Sequence, residues 1–440
     1  MKGIMITAPS SGSGKTMVTM GILRALRNRR LDVCGFKTGP DYIDTAYLKA
    51  ASGKDAGNLD MHLQGREGMK QSLSMSSAEY CVIEGAMGYF DGIYNTFENS
   101  SCDISGFLGI NAILVYTPAR EMFSAVPKIK GMADFDGSTI KGVILNQASE
   151  KIYHMLKGPI EEYTGLSVLG YLPRMEDIEI ESRHLGLIQS AEIDDMEEKL
   201  ERMAAVIQKN IDLELLVRLM KEMHEVPVRP VGKRRLSVAV AMDKAFSFYY
   251  RENRKLLADS CEVEYFSPLR DGSLPGCDFL YIGGGYPEVF RQELSENKSM
   301  LSSIRMYADS GGCIYAECGG LMYLTEQIED CGMVGIFEGT TRLTKSLQRF
   351  GYIDMELKAD CMLGKQGEKL TAHEFHKSVS DVKDPTLYRI RKTMGDRIWE
   401  CGYRYKNVLA GYPHINFLGN WNAYLSILDY AERNKRFAHS

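Results

Sequence analysis

The sequence predicts an α/β protein built from two doubly wound domains with mainly parallel sheets. Short apolar runs alternate with segments of helical periodicity. This alternation is interrupted by a linker near residue 230 and then begins again. Because runs that are apolar throughout are typical of strands covered on both faces, we expect helices on each side of both sheets.

The first domain is expected over residues 1–225. Its first strand is predicted at 3–7, its first helix at 16–29, and a charged segment with helical spacing at 193–223 closes it. Further short runs, rich in β-branched or aromatic residues, predict strands at 33–36, 80–83, 112–116, 142–145 and 168–171. Strands separated by helical segments in this way indicate βαβ units.

Residues 226–235 form the predicted linker, since they hold two prolines, a glycine and a cluster of basic residues. The second domain, residues 236–440, restarts the pattern with an apolar run at 236–241. Its further predicted strands lie at 263–266, 278–282 and 313–316.

The composition excludes several classes of function. The 53 Lys and Arg residues against 58 Asp and Glu give a net charge of -5, whereas a general nucleic-acid binder usually carries a basic face. No apolar run reaches the ~18 residues that span a bilayer, and the N-terminus lacks the layout of a signal peptide. Ten scattered cysteines without a Cys-x-x-Cys pair indicate reduced thiols. We therefore expect a cytoplasmic protein that binds neither nucleic acid nor membrane.

The loop after the first strand has the composition of a phosphate-binding loop. Gly12 and Gly14 let backbone N–H groups wrap a phosphate, and the helix N-terminus adds favourable partial charge. Lys15 would reach the β- and γ-phosphates, and the Thr16 hydroxyl would bind Mg²⁺. Pro9 stands where the strict motif has glycine, which is tolerable if the cradle begins one residue later, since proline has no N–H. The predicted nucleotide-binding residues of the loop are Ser11, Gly12, Ser13, Gly14, Lys15 and Thr16.

Four carboxylates follow predicted strands of the first domain. Asp41 and Asp44 come after the second strand, Glu84 ends the third and Asp91 lies shortly beyond it. Ligands of open α/β sheets bind at the carboxyl edge, so we expect these side chains to converge on Mg²⁺ and the γ-phosphate of ATP. For any one of them alone, a helix cap or a turn is an equally good interpretation.

Cys318 is the candidate nucleophile of the second domain. It stands between the strand at 313–316 and a helix that begins at 321–324. A nucleophile on such a tight turn needs small residues two positions away on either side, and Ala316 and Gly320 meet that need. We expect the helix N-terminus to lower the pKa of the thiol. The alternative is a buried, inert cysteine.

A general base for Cys318 must come from elsewhere in the chain. The residues alone leave His414, His373 and His376 open. Backbone N–H groups of the glycine turn after the strand at 278–282, and of the residue after the cysteine, could bind an oxyanion. The candidates are Gly284, Gly285 and Gly319. An ordinary tight loop is the alternative there.

Over roughly residues 1–420, the chain resembles the cobyrinic acid a,c-diamide synthase family. The strings that carry the resemblance include FKTGPDYID at 36–44, EGAMGYFDG at 84–92, RHLGL at 183–187, GGGYPE at 283–288 and YAECGG at 315–320. The first domain resembles the dethiobiotin-synthetase-like P-loop fold, and the second resembles a class I glutamine amidotransferase.

This resemblance implies an enzyme that uses ATP, Mg²⁺ and L-glutamine to amidate the a- and c-carboxylates of a cobyrinic acid-type tetrapyrrole in cobalamin biosynthesis. Glutamine would be hydrolysed at Cys318 through a thioester, and the ammonia would displace phosphate from an acyl phosphate made at the P-loop. The resemblance selects His414 as the base and assigns Asn146 to adenine. It assigns metal binding or handling of the acyl phosphate to Asp41, Asp44, Glu84 and Asp91.

The chain departs from the family at the third position of the triad. Class I triads generally have Glu two residues after the histidine, and this chain has Asn416. We expect Asn416 to orient the His414 imidazole, as the asparagine of a Cys-His-Asn arrangement does.

Two other functions stay open at this stage. A nickel-sirohydrochlorin a,c-diamide synthase of coenzyme F430 biosynthesis would have similar sites, so only an assay separates the rings. A P-loop regulatory ATPase with a non-catalytic second domain is the other, and intact Cys318 and His414 argue against it. A homodimer is one assembly that the sequence leaves open.

Overall fold

The computed structural model describes residues 1–175, 182–183, 186–187 and 195–435. Of the family-like string at 183–187, positions 184 and 185 therefore lie outside the described residues. The first of two units comprises Met1–Met61 and Arg66–Val228, and the second comprises His62–Gly65 and Arg229–Ser440. The change of unit after Val228 falls inside the stretch where the sequence predicts a linker.

Strands and helices alternate along the described part of the first unit. The strands are β1 (Lys2–Thr7), β2 (Val33–Thr38), β3 (Gly57–Leu59), β4 (Tyr80–Glu84), β5 (Ala112–Tyr116), β6 (Ile140–Leu145), β7 (Ser167–Tyr171), β8 (Ser182–Arg183), β9 (Gly186–Leu187) and β10 (Lys221–Glu222). The helices are α1 (Lys15–Asn28), α2 (Tyr42–Ser52), α3 (Met61–Ser74, interrupted at Gly65), α4 (Ser101–Leu108), α5 (Ala125–Asp134), α6 (Glu150–Thr164), α7 (Met196–Asn210) and α8 (Leu213–Leu219).

The main sheet of this unit has the order β3-β2-β4-β1-β5-β6-β7, all parallel, and β10 pairs antiparallel with β1. Side chains of β1 alternate between two cores: Ile4 and Ile6 lie in one with residues of α1 and α7, and Met5 lies in the other. Each fully buried side chain of this kind contributes about 1.5–3 kcal/mol. Burial on both faces explains why these strands are apolar throughout.

The register of the sheet brings the ends of three strands together. Glu84 at the end of β4 lies opposite Ile6 of β1 on one side and opposite Lys37 of β2 on the other. Because the strands are parallel, the loops that follow them leave from the same edge of the sheet. That edge holds the loop between β1 and α1.

The second unit contains more strands and fewer helices in its described part. The strands are β11 (Ser237–Ala241), β12 (Phe246–Phe248), β13 (Glu262–Phe266), β14 (Phe279–Ile282), β15 (Gly284–Gly285), β16 (Cys313–Glu317), β17 (Thr325–Ile328), β18 (Cys331–Gly332), β19 (Phe337–Leu343), β20 (Arg349–Leu357), β21 (Lys369–His376), β22 (Ser378–Ser380), β23 (Tyr388–Lys392), β24 (Ile398–Cys401), β25 (Tyr403–Tyr405), β26 (Val408–Gly411) and β27 (His414–Ile415). The helices are α9 (Arg251–Ser260), α10 (Arg291–Glu296), α11 (Lys298–Asp309), α12 (Gly319–Leu324) and α13 (Trp421–Asn434).

The central sheet of the second unit has the order β13-β11-β14-β16-β26-β25 and is parallel except for β25. A separate antiparallel sheet has the order β24-β23-β20-β21-β27. Strands β11, β13, β14 and β16 are the four that the sequence predicts, whereas the antiparallel strands are not predicted. Buried and partly exposed positions alternate along much of β20. Polar residues therefore interrupt its sequence, and it contains no continuous apolar run by which a strand could be predicted.

The predicted fold class is confirmed, since both units are α/β and each is built on a mainly parallel sheet. The first helix begins at Lys15, one residue before its predicted start, and the charged segment predicted at 193–223 forms α7, α8 and β10 over its described part. No helix in the described ranges combines the length and apolar character that crossing a bilayer requires.

Candidate functional site

The loop between β1 and α1 has the backbone of a phosphate cradle. Gly12 and Gly14 have positive φ angles of 75° and 83°, a region that favours glycine, and Gly14 precedes the first turn of α1. A Cβ atom on Gly14 would lie 2.6 Å from Asn146 Nδ2. The same amide nitrogen donates to the Ser13 carbonyl oxygen over 3.0 Å. Asn146 thus braces the loop; its predicted contact with adenine stays a prediction.

The side chain of Lys15 lies across this loop. Its Nζ donates to the carbonyl oxygen of Ser10 over 3.0 Å and to that of Met87 over 2.5 Å. Burial, followed by the nearby charge of Lys37, lowers the pKa of Lys15 to about 8. The ammonium is therefore held in the loop with much of its hydration removed.

A chain of charged and polar groups joins α1 to three strand ends. Glu84 Oε1 accepts from Thr16 Oγ1 at 2.6 Å and from Lys37 Nζ at 2.8 Å. Lys37 Nζ also pairs with Asp44 Oδ2 at 2.7 Å. Burial raises the pKa of Glu84 to about 7. For Lys37, burial disfavours the ammonium, but Asp44 and Glu84 outweigh it and raise the pKa. The lysine holds both carboxylates in place.

The other two predicted carboxylates have local partners. Asp41 Oδ1 accepts from the amides of Ile43 and Asp44 at 2.9 and 2.8 Å, which makes Asp41 the N-cap of α2. Burial and the charge of Asp44 raise the pKa of Asp41 to about 6. Asp91 Oδ2 accepts from the Gly88 amide at 2.9 Å.

The expected convergence of the four carboxylates on Mg²⁺ and the γ-phosphate of ATP stays a prediction. Within the described residues, no group of three or more His, Cys, Asp and Glu side chains is arranged to hold a metal ion. The reason is that Asp41 and Asp91 serve backbone amides and Asp44 serves Lys37. Glu84 remains: its Oε2 is buried and makes no hydrogen bond. Together with the Thr16 hydroxyl it offers the oxygen donors that Mg²⁺ prefers, so these two residues would suit such an ion.

Lys37 was not among the predicted site residues, although a signal for it exists. It ends a strand that is buried along its whole length, and lysine is almost never fully buried unless it is paired. A lysine in such a strand therefore indicates carboxylates beside it.

A cleft of about 710 Å³ opens beside the loop in the first unit. Its lining includes the loop, residues 9–13, and the apolar side chains of Phe90, Met132 and Phe135. Phe90 and Phe135 pack with ring centroids 4.8 Å apart. The cleft thus presents phosphate-binding backbone next to an apolar surface.

In the second unit, Cys318 occupies the turn between β16 and α12. It has φ 49° and ψ −103°, a strained conformation for a residue other than glycine. A Cβ atom on Gly320 would lie 2.4 Å from the Ile282 carbonyl oxygen and 3.1 Å from Ala316 Cβ. The small residues that the sequence analysis required on both sides are thus needed sterically.

The expectation of a lowered thiol pKa is wrong. Burial raises the pKa of Cys318, and the neighbouring Glu288 adds to this, while only the Gly319 amide acts in the opposite direction. One N–H at the start of a six-residue helix does not compensate for full desolvation. Cys318 is therefore a thiol in this structure and needs a base to become a nucleophile.

His414 lies in β27 and packs against the glycine turn. A Cβ atom on Gly284 would lie 2.5 Å from His414 Cε1 and 3.3 Å from its Nε2, so only glycine fits there. A Cβ atom on Gly319 would lie 3.1 Å from the Gly285 amide nitrogen. The three glycines predicted to bind an oxyanion are thus brought into one neighbourhood with Cys318 and His414.

The two rival histidines have other partners. His373 lies opposite His414 in the sheet, stacks on it with ring centroids 5.0 Å apart, and shares a 3.0 Å hydrogen bond between its Nδ1 and Tyr250 Oη. Burial, and then the charge on His414, depress the pKa of His373. His376 stacks on Tyr412 at 3.8 Å, and its Nδ1 lies 2.8 Å from the Ser378 carbonyl oxygen.

Asn416, the predicted orienter of His414, and Glu317, which the sequence does not predict, have different partners in the structure. Asn416 Oδ1 accepts from the amide of Leu418 at 3.0 Å, while the carboxylate that faces His414 belongs to Glu317, with Oε2 3.7 Å from Nδ1. Glu317 was missed because the family pattern gives the third triad residue as the one two positions after the histidine. Its signal is a buried charged residue at the end of an otherwise apolar strand.

The two halves of the chain match two family descriptions. Residues 4–188 match "CobQ/CobB/MinD/ParA nucleotide binding domain", and residues 237–421 match "CobB/CobQ-like glutamine amidotransferase domain". A cobyrinate a,c-diamide synthase of Clostridium tetani is 47% identical over 429 residues, which cover 96% of this chain and 98% of that protein. A cobyrinate a,c-diamide synthase of Clostridium acetobutylicum is 44% identical, with coverage of 96% and 98%.

Proposed function

The chain belongs to the cobyrinate a,c-diamide synthase family, and from this premise we propose that it is an ATP- and glutamine-dependent enzyme that amidates the a- and c-carboxylates of cobyrinic acid in cobalamin biosynthesis. The observation that carries the proposal is that one chain combines a phosphate cradle over Lys15 and Thr16 with a cysteine elbow at Cys318. Residues 1–225 are assigned to ATP and residues 236–440 to glutamine, joined by 226–235.

The glutaminase half releases ammonia. His414 takes the proton of the Cys318 thiol as sulfur attacks the side-chain amide carbon of glutamine, and amides of Gly284, Gly285 and Gly319 are suited to bind the resulting oxyanion. The imidazolium returns the proton to the leaving nitrogen, so ammonia departs and a thioester remains. Water then cleaves the thioester and gives glutamate. The raised thiol pKa supports this order, because the thiolate forms only when the base acts.

The synthetase half activates the acceptor. A carboxylate oxygen of the tetrapyrrole attacks the γ-phosphorus of ATP, ADP leaves, and an acyl phosphate forms. Ammonia then attacks the acyl carbon, the C–O bond to the phosphate breaks with its electron pair going to the leaving phosphate, and that phosphate takes up the proton that the nitrogen loses. Two such rounds give the diamide. Lys15 is the cation suited to the transferred phosphate, and a bound Mg²⁺ would neutralise phosphate charge, with Thr16 and Glu84 as its protein ligands.

A cytoplasmic location accompanies this proposal, because all ten cysteines are free and a reducing compartment keeps them so. A homodimer stays a prediction, which light scattering on the purified protein would test.

The test is an assay with purified protein, ATP, Mg²⁺ and glutamine. Cobyrinic acid should gain two amides by mass spectrometry, with two ATP and two glutamine consumed for each ring. Parallel reactions contain hydrogenobyrinic acid and nickel-sirohydrochlorin. If only nickel-sirohydrochlorin is amidated, the proposed acceptor is wrong; if ATP is hydrolysed with no glutamate released, a regulatory ATPase replaces the enzyme.

A further inference from the structure

The carboxylate of Glu317 lies beside the base of the glutaminase site. Glu317 ends β16 and directly precedes Cys318, and its Oε2 is 3.7 Å from Nδ1 of His414. Both side chains are about 2% exposed. This distance exceeds that of a hydrogen bond, but catalytic hydrogen bonds often shorten only when substrate is bound.

Neutral donors hold this carboxylate in place. Oε1 accepts from Tyr315 Oη at 2.9 Å and from the Ile415 amide at 3.1 Å, and Oε2 accepts from Tyr281 Oη at 2.9 Å. Burial and then the charge of Glu317 raise the pKa of both tyrosines, so they remain donors. Ile415 directly follows His414, so the same carboxylate fixes the backbone that carries the base.

Burying a carboxylate among neutral donors is costly unless a cation forms nearby. Two imidazole rings, those of His373 and His414, stack beside Glu317, and the two rings have different partners. His373 bonds to Tyr250, and its depressed pKa keeps it neutral, whereas His414 faces Glu317. The cation that forms beside Glu317 is therefore the imidazolium of His414. Gly284 of the glycine turn, where a Cβ atom would lie 2.5 Å from His414 Cε1, carries no charge.

We propose that Glu317 is a positioning residue of the glutaminase reaction: it selects the His414 tautomer with the proton on Nδ1 and stabilises the imidazolium that forms when Nε2 takes the Cys318 proton. This inference rests on the glutaminase function proposed above. Glu317 does not take up the proton itself. It fills the role that a carboxylate two residues after the histidine has in other triads, although it precedes the cysteine in the chain.

The test compares Glu317→Gln and Glu317→Asp with Asp278→Asn. Asp278 is a matched control, since it is also a buried carboxylate of this unit, 5% exposed, that accepts from a backbone amide, that of Ser237. In Glu317→Gln we expect the glutaminase kcat to fall by up to about 10⁴-fold with little change in KM, as when a triad carboxylate is neutralised. Glu317→Asp should recover part of the loss, and the control should behave as wild type.

The pH profile separates positioning from a merely structural role. Without the negative charge the imidazolium is less stable, so the acidic limb of kcat/KM should move to lower pH in Glu317→Gln. An unmoved limb would overturn the proposal, and so would a glutaminase rate equal to that of wild type. Amidation with free ammonia should stay at the wild-type rate, which shows that the variant is folded.

A measurement on the unaltered protein is independent of variant stability. In ¹⁵N-histidine NMR spectra, with His414→Asn used for assignment, neutral His414 should carry its proton on Nδ1. A proton on Nε2 would overturn the proposal. If instead wild type releases no ammonia from glutamine and Cys318→Ala changes nothing, the proposed function fails, and that result is distinct from either outcome for Glu317.

Discussion

The loop site of the first unit and the cysteine site of the second both contain a buried carboxylate, Glu84 and Glu317, but the two carboxylates have different partners. Glu84 is paired with the cation Lys37 and keeps one oxygen without a hydrogen bond. Glu317 is held by two phenols and an amide. The first site is charged in advance, as binding of a metal–phosphate complex requires. The second is built from neutral groups around a carboxylate, and its ion pair forms only as the reaction proceeds.

The largest expected effect is that loss of the Cys318 sulfur stops the use of glutamine but leaves the site in the first unit active. Cys318→Ala should abolish glutamine-dependent amidation, by about 10³-fold or more, because sulfur is the nucleophile. Amidation with free ammonia should persist. Cys277→Ala is the matched control, since Cys277 is also buried in the second unit. Product formation from each nitrogen source is measured. Equal loss with both sources in a folded variant would contradict the division into two sites.

A substitution in the loop between β1 and α1 should have the opposite effect: amidation falls and glutamine hydrolysis is retained. Lys15→Met removes the cation held over the Ser10 and Met87 carbonyl oxygens and should lower amidation by about 10²- to 10³-fold with either nitrogen source. Glutamine hydrolysis measured alone should be retained. Lys151→Met, at an exposed position of α6, is the control. If Lys15→Met consumes ATP at the wild-type rate, the loop takes no part in the reaction.

A smaller effect distinguishes the metal ligand from the helix cap. Glu84→Gln should raise the Mg²⁺ concentration needed for half-maximal activity by about 10- to 100-fold, since one charged ligand is lost. Asp41→Ala should leave that concentration unchanged and lower stability by about 1 kcal/mol, because it removes the N-cap of α2. Mg²⁺ titrations and thermal unfolding measure the two effects. A higher Mg²⁺ requirement in Asp41→Ala would restore Asp41 as a ligand.

The sequence predicts those site residues that are marked by a local pattern along the chain. It misses those whose role depends on a partner in another strand. Cys318, Lys15 and Thr16 can be proposed from the sequence because each stands at a strand–helix junction with small neighbours, a local pattern. Lys37 and Glu317 are missed because their meaning comes from residues in other strands: Glu84 lies next to Lys37 across the sheet, and His414 is 97 positions after Glu317.

The wrong expectation for the Cys318 pKa has the same origin. The helix that follows the cysteine can be read from the sequence, whereas the degree of burial that outweighs its N-terminus depends on the whole unit. The antiparallel strand β20 was missed for a related reason, since half-buried strands lack the apolar runs that mark the parallel ones.

The smallest expected effect is a pH dependence of ATP binding that comes from the Lys15 ammonium. The pKa of Lys15 is lowered to about 8, so the ammonium is present below that pH and is lost above it. ATP binding should therefore weaken by about tenfold from pH 7 to pH 9, and binding above pH 8 should take up a proton, because bound phosphate favours the charged form. Calorimetry in buffers of different ionisation enthalpy measures both. Glu84, with a pKa of about 7, titrates at the lower end of this range, so the comparison with Lys15→Arg isolates the lysine: guanidinium stays charged, and only the part of the pH dependence that comes from Glu84 should remain. An equal pH dependence in Lys15→Arg would assign the effect to another group and would leave the first site no more dependent on a preformed cation than the second.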